Sequence, residues 1–120
     1  MKTLTIVTIC MIATGLLFTA AFSAGDIEKG KALFNDTKFA GATSGNSCNT
    51  CHPNGSGIEK SGDKKEFNIM GKKQDSLEQA VNICIEAAIK GKAIDPMSGQ
   101  MKDIVAYIKS LKGKGHSPGY

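Results

Sequence analysis

The sequence predicts a small all-α domain, and three observations support this fold class. Three segments repeat apolar residues with the period of an amphipathic helix. No segment between them alternates apolar and polar residues as a pair of strands would. The mature chain is expected to contain about 96 residues, the size of one small domain, and it shows no internal repeat and no linker to a second domain.

The first two helices are expected on either side of the middle of the chain. The first follows Asp26 as its N-cap and ends near Asn35. The second begins at residue 75 or 76 and is stopped by Gly91. Its apolar stripe consists of Leu77, Ala80, Val81, Cys84 and Ala88. This spacing places Cys84 at the centre of the buried face.

The third helix begins near Ser98 and ends at Gly113. Its apolar stripe consists of Met101, Ile104, Val105, Ile108 and Leu111. Residues 113–120 are expected to form a flexible tail. Residues 53–73 are rich in Gly, Ser, Asn and Lys and show no period, so we expect a long loop there with Phe67, Ile69 and Met70 turned inward.

Residues 48–52 read Cys-Asn-Thr-Cys-His, which is the attachment signature of a c-type haem. The thiols of Cys48 and Cys51 add across the two vinyl groups of the porphyrin, and the two-residue spacer lets both sulfurs reach one edge of the ring. The imidazole of His52 then lies beneath the iron as its proximal ligand. We therefore expect one covalently attached haem c.

A Cys-x-x-Cys pair also occurs in zinc sites and in thioredoxin-like dithiols. A zinc site usually takes a second pair of ligands at similar spacing, but the only other histidine is His116, in the Gly- and Lys-rich tail. A redox dithiol usually lies in a βαβ unit, which the pattern around residues 48–52 does not predict. Both comparisons favour haem attachment.

The N-terminus has the pattern of a secretory signal, because Lys2 precedes an apolar run over residues 4–21 that ends in small residues. We expect residues 1–24 to form the signal, with cleavage after Ser23 or Ala24. A retained membrane anchor is the alternative, since the run is long enough to span a bilayer. Cleavage would leave an exported chain with no membrane span.

Export agrees with the motif, because c-type haem is attached on the outer side of the bacterial inner membrane, in the periplasm. Thiols tend to oxidise in that compartment. Removal of the signal also removes Cys10. Once haem has taken Cys48 and Cys51, Cys84 has no disulfide partner in its own chain.

All 15 basic residues are lysines, and with 11 acidic residues they give a formal net charge of +4. Without arginine or a basic stripe interleaved with aromatic residues, nucleic acid is not an expected partner. Five lysines cluster in the expected loop: Lys60, Lys64, Lys65, Lys72 and Lys73. They form either a solvated loop face or a docking patch for an acidic redox partner.

The order of helix, haem motif, loop and two helices resembles the class I cytochromes c across the mature chain. Residues 25–34 (Gly-Asp-Ile-Glu-Lys-Gly-Lys-Ala-Leu-Phe) are similar to the N-terminal helix of that family, and residues 104–111 (Ile-Val-Ala-Tyr-Ile-Lys-Ser-Leu) to its C-terminal helix. The resemblance implies a cytochrome c-like fold over residues 25–112, with about three main helices around one haem. It also implies that the two terminal helices cross, with Gly30 against Tyr107.

The sequence departs from that family after the motif, where the Gly-Pro-x-Leu segment is absent. The acceptor of a hydrogen bond from His52 is therefore not identified by the resemblance. Residues 81–85, 91–93 and 98–101 are similar to segments of thiosulfate dehydrogenase and Sox-type sulfur cytochromes. In those enzymes a cysteine at the position of Cys84 can bind the iron beside catalytic arginines, but this chain has no arginine and no second haem motif.

Met101 is the expected sixth ligand of the iron, because it matches the methionine of the sulfur-cytochrome segment and begins the last helix. Met97, Cys84 and Met70 are the alternatives, with His116 or a lysine as further candidates. Methionine and cysteine sulfurs both bind haem iron, although on a helical stripe either residue is more often part of the core.

These observations predict an exported, monomeric electron carrier that passes one electron between redox partner proteins. An iron with six ligands has no position for a substrate, so no catalytic residue is assigned. The alternative is a haem enzyme or sensor with a labile sixth site near Cys84, which would oxidise thiosulfate or bind a gas.

Overall fold

The computed structural model describes residues 24–114, so residues 1–23, with Cys10, and His116 lie outside the described range. Within that range the chain is mostly helical, with one small antiparallel sheet. The helices are α1 (Ile27–Asn35), α2 (Cys48–Cys51), α3 (Leu77–Ala87) and α4 (Gly99–Ser110). The strands are β1 (Phe67–Ile69) and β2 (Lys72–Gln74).

The three predicted helices begin where the sequence places them, each on a capping side chain. A side-chain oxygen accepts a hydrogen bond from the backbone N–H three residues later, at 3.0–3.2 Å, in Asp26, Ser76 and Ser98. These bonds satisfy donors that have no partner in the first turn of a helix. The predicted starts of α1, α3 and α4 are thereby confirmed.

Helix α3 ends at Ala87, earlier than the predicted stop at Gly91. Lys90 adopts a left-handed φ of +58°, and the N–H of Gly91 donates back to the carbonyl oxygen of Ile85 at 2.9 Å. This turn satisfies a carbonyl that the helix end would otherwise leave free. It also brings Gly91 against the backbone of Ala40.

Helices α1 and α4 cross at Gly30, which is buried. A Cβ atom at this position would overlap the carbonyl oxygen of Asp103 and lie 2.9 Å from Cβ of Tyr107. One turn further along α1, the rings of Phe34 and Tyr107 lie 5.1 Å apart at an interplanar angle of 60°. The backbone N–H of Asp26 donates to Oδ1 of Asp103 at 2.7 Å. The predicted packing of Gly30 against Tyr107 is confirmed.

The expectations of an all-α domain and of a structureless loop over residues 53–73 need a correction, because this segment contains the sheet. Strands β1 and β2 pair antiparallel, with Phe67 opposite Gln74 and Ile69 opposite Lys72. They are joined by a two-residue turn in which Met70 and Gly71 have φ of +54° and +76°. Positive φ at both positions gives the turn a twist that matches paired strands.

Three side chains of this segment, Phe67, Ile69 and Met70, are predicted to turn inward. The structure confirms the prediction for Phe67 and Ile69. Phe67 and Ile69, on one face of β1, are half-buried, and Phe67 packs against the core. Met70 is 76% exposed, because it occupies the turn rather than a strand. The segment therefore has an apolar inner face and an exposed end.

The core lies between α1, α3 and α4, and its five most deeply buried large side chains are Phe34, Ile85, Ile89, Met101 and Ile104. The hairpin packs on α3, next to this core. None of the helices in residues 24–114 has the length and apolarity needed to cross a bilayer.

Gly30→Ala is expected to lower the free energy of unfolding by about 3 kcal/mol, because the added methyl forces α1 and α4 apart. Gly99→Ala, where a Cβ meets no atom within 4 Å, is the matched control. It should be neutral or stabilising by up to about 1 kcal/mol. Denaturant unfolding of both variants measures the difference, and equal values would show that the crossing does not depend on Gly30.

Candidate functional site

The Cys-x-x-Cys-His motif forms the single helical turn α2 and the residue that caps its end, His52. Side chains four residues apart lie on one side of a helical turn, which brings Cys48 and His52 to the same cavity. Cys51 is exposed, whereas Cys48 and His52 are half-buried. The turn thus presents one thiol and the imidazole inward, and the second thiol at the surface.

The two spacer residues of the motif hold the turn in place. Oγ1 of Thr50 accepts a hydrogen bond from the backbone N–H of Ser47 at 3.0 Å, and Ser47 is 5% exposed. Oδ1 of Asn49 accepts from the backbone N–H of Asn54 at 2.8 Å. Both bonds tie the turn to the chain on either side of it. The sequence gives no signal for them, because the motif leaves these two positions unspecified.

The cavity beside the motif contains about 520 Å³ of space free of protein atoms, part of it continuous with the solvent. Its lining is almost entirely apolar: Phe34, Ile58, Phe67, Ile69, Leu77, Ala80, Val81, Ile104 and Ile108. The polar side chains on the wall are Cys48, His52, Ser61 and Cys84. A concave apolar wall with a few polar groups is the usual form of a ligand or cofactor site.

Helix α3 contributes a second cysteine to this cavity, Cys84, which is half-buried. Burial, with a smaller contribution from the nearby Cys84, raises the pKa of Cys48 to about 11. Burial also raises the pKa of Cys84, and Cys51 adds to that shift. The two cavity thiols are therefore neutral at pH 7.

The raised pKa of Cys48 makes the stability of the haem-free chain depend on pH. Because the folded-state pKa of Cys48 is above the ordinary value of 9.0, folding favours the neutral thiol. The resulting stabilisation is present below pH 9 and is lost as the pH rises toward 11. A thioether does not ionise, so attachment of a porphyrin at Cys48 would remove this pH dependence.

The imidazole of His52 is oriented by the backbone that follows the motif. Its Nδ1–H donates to the carbonyl oxygen of Ser56 at 3.1 Å. The two glycines beside Ser56 adopt left-handed φ values, +79° at Gly55 and +85° at Gly57. A carbonyl can only accept, so this bond places the proton on Nδ1 and leaves Nε2 available as a ligand. The structure thus identifies the acceptor that the sequence did not.

The four sulfur candidates for the sixth position lie in different surroundings. Cys84 lines the cavity. Met101 has 0% exposure and belongs to the core, outside the cavity lining. Met97 is 61% exposed, and Met70 is 76% exposed. Neither exposed methionine is among the lining residues.

Asn82, on α3, fixes the segment that leads to α4. Its Nδ2 donates to the carbonyl oxygen of Ile94 at 2.8 Å, and its Oδ1 accepts from the N–H of the same residue at 2.9 Å. The side chain thus pairs with the backbone as a neighbouring strand would. In the sequence, Asn82 is recognisable as a polar residue within the apolar stretch of α3. Helical periodicity alone does not predict that its side chain pairs with the backbone of Ile94.

The residues around the cavity fit a covalently bound iron porphyrin. The wall is apolar and is lined by Cys48 and an oriented imidazole, while Cys51, the second cysteine of the motif, is exposed. In residues 24–114, no three His, Cys, Asp or Glu side chains are grouped so as to hold a metal ion by themselves. No family model, curated protein or solved structure matches the sequence.

Thr50→Val is expected to lower the free energy of unfolding by about 1–2 kcal/mol, because the buried N–H of Ser47 loses its acceptor. Thr50→Ser keeps the hydroxyl and should stay within about 0.5 kcal/mol of the wild type. Urea unfolding, together with amide exchange at Ser47, measures both. Equal stability and equal exchange in the two variants would remove Thr50 from the support of the motif.

Proposed function

We propose that this chain is a monohaem c-type cytochrome with a cytochrome c-like fold, which carries one electron between redox partner proteins. The observation that carries the proposal is the placement of Cys48 and His52, both of which line one open apolar cavity. The order of helices and motif, which resembles the class I cytochromes c, supports the same assignment.

Each part of the site has a defined role in this proposal. Thioether bonds from Cys48 and Cys51 hold the porphyrin, and Nε2 of His52 binds the iron while Ser56 fixes the ring. The apolar wall excludes water from the cofactor. When bound, the haem supplies one-electron chemistry by cycling between ferric and ferrous iron.

The proposal also includes a location, the periplasm, which is inferred from residues 1–24. A secretory signal followed by a haem-attachment motif is expected of a periplasmic protein, and covalent attachment requires export. The absence of arginine makes nucleic acid an unsuitable partner, and redox proteins are the proposed partners. The chain is proposed to act as a monomer.

Met101 is the sixth ligand predicted from the sequence, and the cavity favours a different candidate. A ligand must reach the iron from the cavity wall. Of the four candidate residues, Cys84, Met101, Met97 and Met70, Cys84 is the one that lines this wall. Met101 would have to leave a fully buried position to do so. Thiolate ligation would lower the reduction potential, whereas methionine would raise it.

A haem enzyme or sensor is the second candidate function, and the position of Cys84 on the cavity wall is the observation that favours it. A thiolate that dissociates from the iron would open a site for thiosulfate or a gas inside the cavity. Turnover of thiosulfate by the isolated protein with an artificial electron acceptor, lost in Cys84→Ala, would support this candidate and overturn the carrier.

Covalent haem attachment is tested by extraction with acidified acetone. The haem should stay with the polypeptide, because two thioether bonds join them. Cys51→Ala should retain at most one thioether, which shifts the haemochrome spectrum, whereas the control Cys84→Ala should retain both. Recovery of free haem in acetone from the wild type would contradict the proposal.

The sixth ligand is tested with Cys84→Ala, Met101→Ala and Met97→Ala. We expect Cys84→Ala to open the ferrous iron to carbon monoxide and to raise the reduction potential, because a thiolate is lost. The two methionine variants should keep the wild-type spectrum. A weak far-red iron–sulfur band in the ferric wild type, abolished in Met101→Ala alone, would instead establish the methionine predicted from the sequence.

A further inference from the structure

The cavity wall carries two thiols that come from different helices. Residues 24–114 contain three cysteines, and all three are free. Cys48, on α2, and Cys84, on α3, are half-buried and line the cavity. Cys51 is exposed and is not among the lining residues. Before a haem is attached, the thiol of Cys48 therefore shares the cavity with Cys84 rather than with the other cysteine of the motif.

A disulfide within the motif would have to deform α2. Side chains three residues apart on a helical turn have Cβ atoms about 5–6 Å apart, whereas a disulfide takes about 3.8 Å. Cys48 faces the cavity and Cys51 is exposed to solvent. The hydrogen bonds of Thr50 and Asn49 hold the turn in its present form. The folded chain thus opposes a bond between Cys48 and Cys51.

The electrostatics of the cavity thiols agree with their shared position. Burial is the largest cause of the raised pKa of Cys48, and Cys84 is the next, ahead of Cys51. Such an effect weakens with distance and with exposure to water. Cys84 therefore acts on Cys48 more strongly than the exposed cysteine three residues away, although it belongs to another helix.

The haem-free chain would gain stability from a bond between the two cavity thiols. Its apolar wall lacks the contacts that a cofactor would supply, and a domain of this size has little core to spare. A disulfide between α2 and α3 would join two elements that border the cavity. It would also close a long loop, which removes entropy from the unfolded chain. Disulfides form readily in the compartment to which the chain is proposed to be exported.

We propose that the chain, before haem attachment, carries a disulfide between Cys48 and Cys84 that holds α2 to α3. Two S–H bonds break and one S–S bond forms. The two protons go to water, and the two electrons reduce the disulfide of a thiol–disulfide oxidoreductase to two thiols. A dithiol reductant reverses the step, which frees Cys48 for the porphyrin and Cys84 for the iron. This last consequence rests on the proposed function, but the disulfide does not.

Digestion with trypsin in the absence of reductant tests the disulfide. Trypsin cuts after lysine, which puts Cys84 on residues 74–90 and both motif cysteines on residues 39–60. The sample is the haem-free chain as the cell processes it, equilibrated in a glutathione redox buffer and alkylated to block free thiols. Mass spectrometry should find the two peptides joined, whereas a bond between Cys48 and Cys51 would leave them separate.

Two variants identify the thiol that bonds to Cys84. Cys51→Ser should keep the peptides joined, whereas the matched Cys48→Ser should lower their yield by about a factor of ten. Urea provides the control for folding. In the unfolded chain the shorter loop is favoured by entropy, so the bond between Cys48 and Cys51 should exceed the link to Cys84 by about a factor of ten.

Three results would overturn the proposal. Equal yields of joined peptides in native buffer and in urea would show that the pairing does not depend on the fold. Joined peptides that persist in Cys48→Ser and vanish in Cys51→Ser would make Cys51 the partner. Joined peptides found only in the dimer band of a non-reducing gel would make the link one between two copies of the chain.

Added haem separates the disulfide from the proposed function. The oxidised chain should gain at most one thioether, at Cys51, whereas a chain first treated with dithiothreitol should gain two. Two thioethers formed at equal rates in both samples would overturn the control of attachment by Cys84. Failure of both samples to bind haem would overturn the cytochrome and leave the disulfide, mapped independently, in place.

Discussion

The apolar wall beside Cys48 and His52 is the constraint on which the rest of the structure depends. A chain of this size is close to the lower limit for an unaided core, and here part of the available apolar surface lines an open cavity instead of packing on itself. Side chains such as Val81 and Ile69 lack partner atoms on the cavity side. A flat apolar cofactor bonded to the wall would supply those contacts, so the proposed haem would be both the functional group and a part of the core.

The crossing of α1 and α4 gives that wall a fixed foundation. Gly30 lets the two backbones come into contact, and the bond from Asp26 to Asp103 sets the position of α1 on α4. Phe34 then reaches the cavity from α1, while Ile104 and Ile108 reach it from α4. Local hydrogen bonds from Thr50, Asn49 and Ser56 set the orientation of the motif itself. Tertiary packing thus builds the wall, and short-range polar bonds position the groups that would bind the haem.

Much of this arrangement could be predicted from the sequence where one strong local signal decides the outcome. Helical periodicity and capping residues located α1, α3 and α4, and the resemblance to the class I cytochromes c implied the crossing at Gly30 and Tyr107. The hairpin was not predicted, because its strands are three residues long and its turn holds Met70 where Asn or Gly is usual. Ser56 could not be identified either, since it acts through its backbone oxygen, which carries no sequence signal. The sixth ligand depends on which sulfur faces the cavity, a tertiary property that periodicity alone does not determine.

The central claim is that a porphyrin fills the cavity between α2, α3 and the hairpin. The most direct measurement is the set of nuclear Overhauser effects from the haem protons of the ferrous, diamagnetic holoprotein to assigned side-chain methyl groups. A porphyrin in this cavity should show contacts from the haem to the methyl groups of Ile69 and Val81, which line the cavity from β1 and α3. Haem contacts confined to side chains outside this wall, such as Ala42 and Ile89, would contradict it.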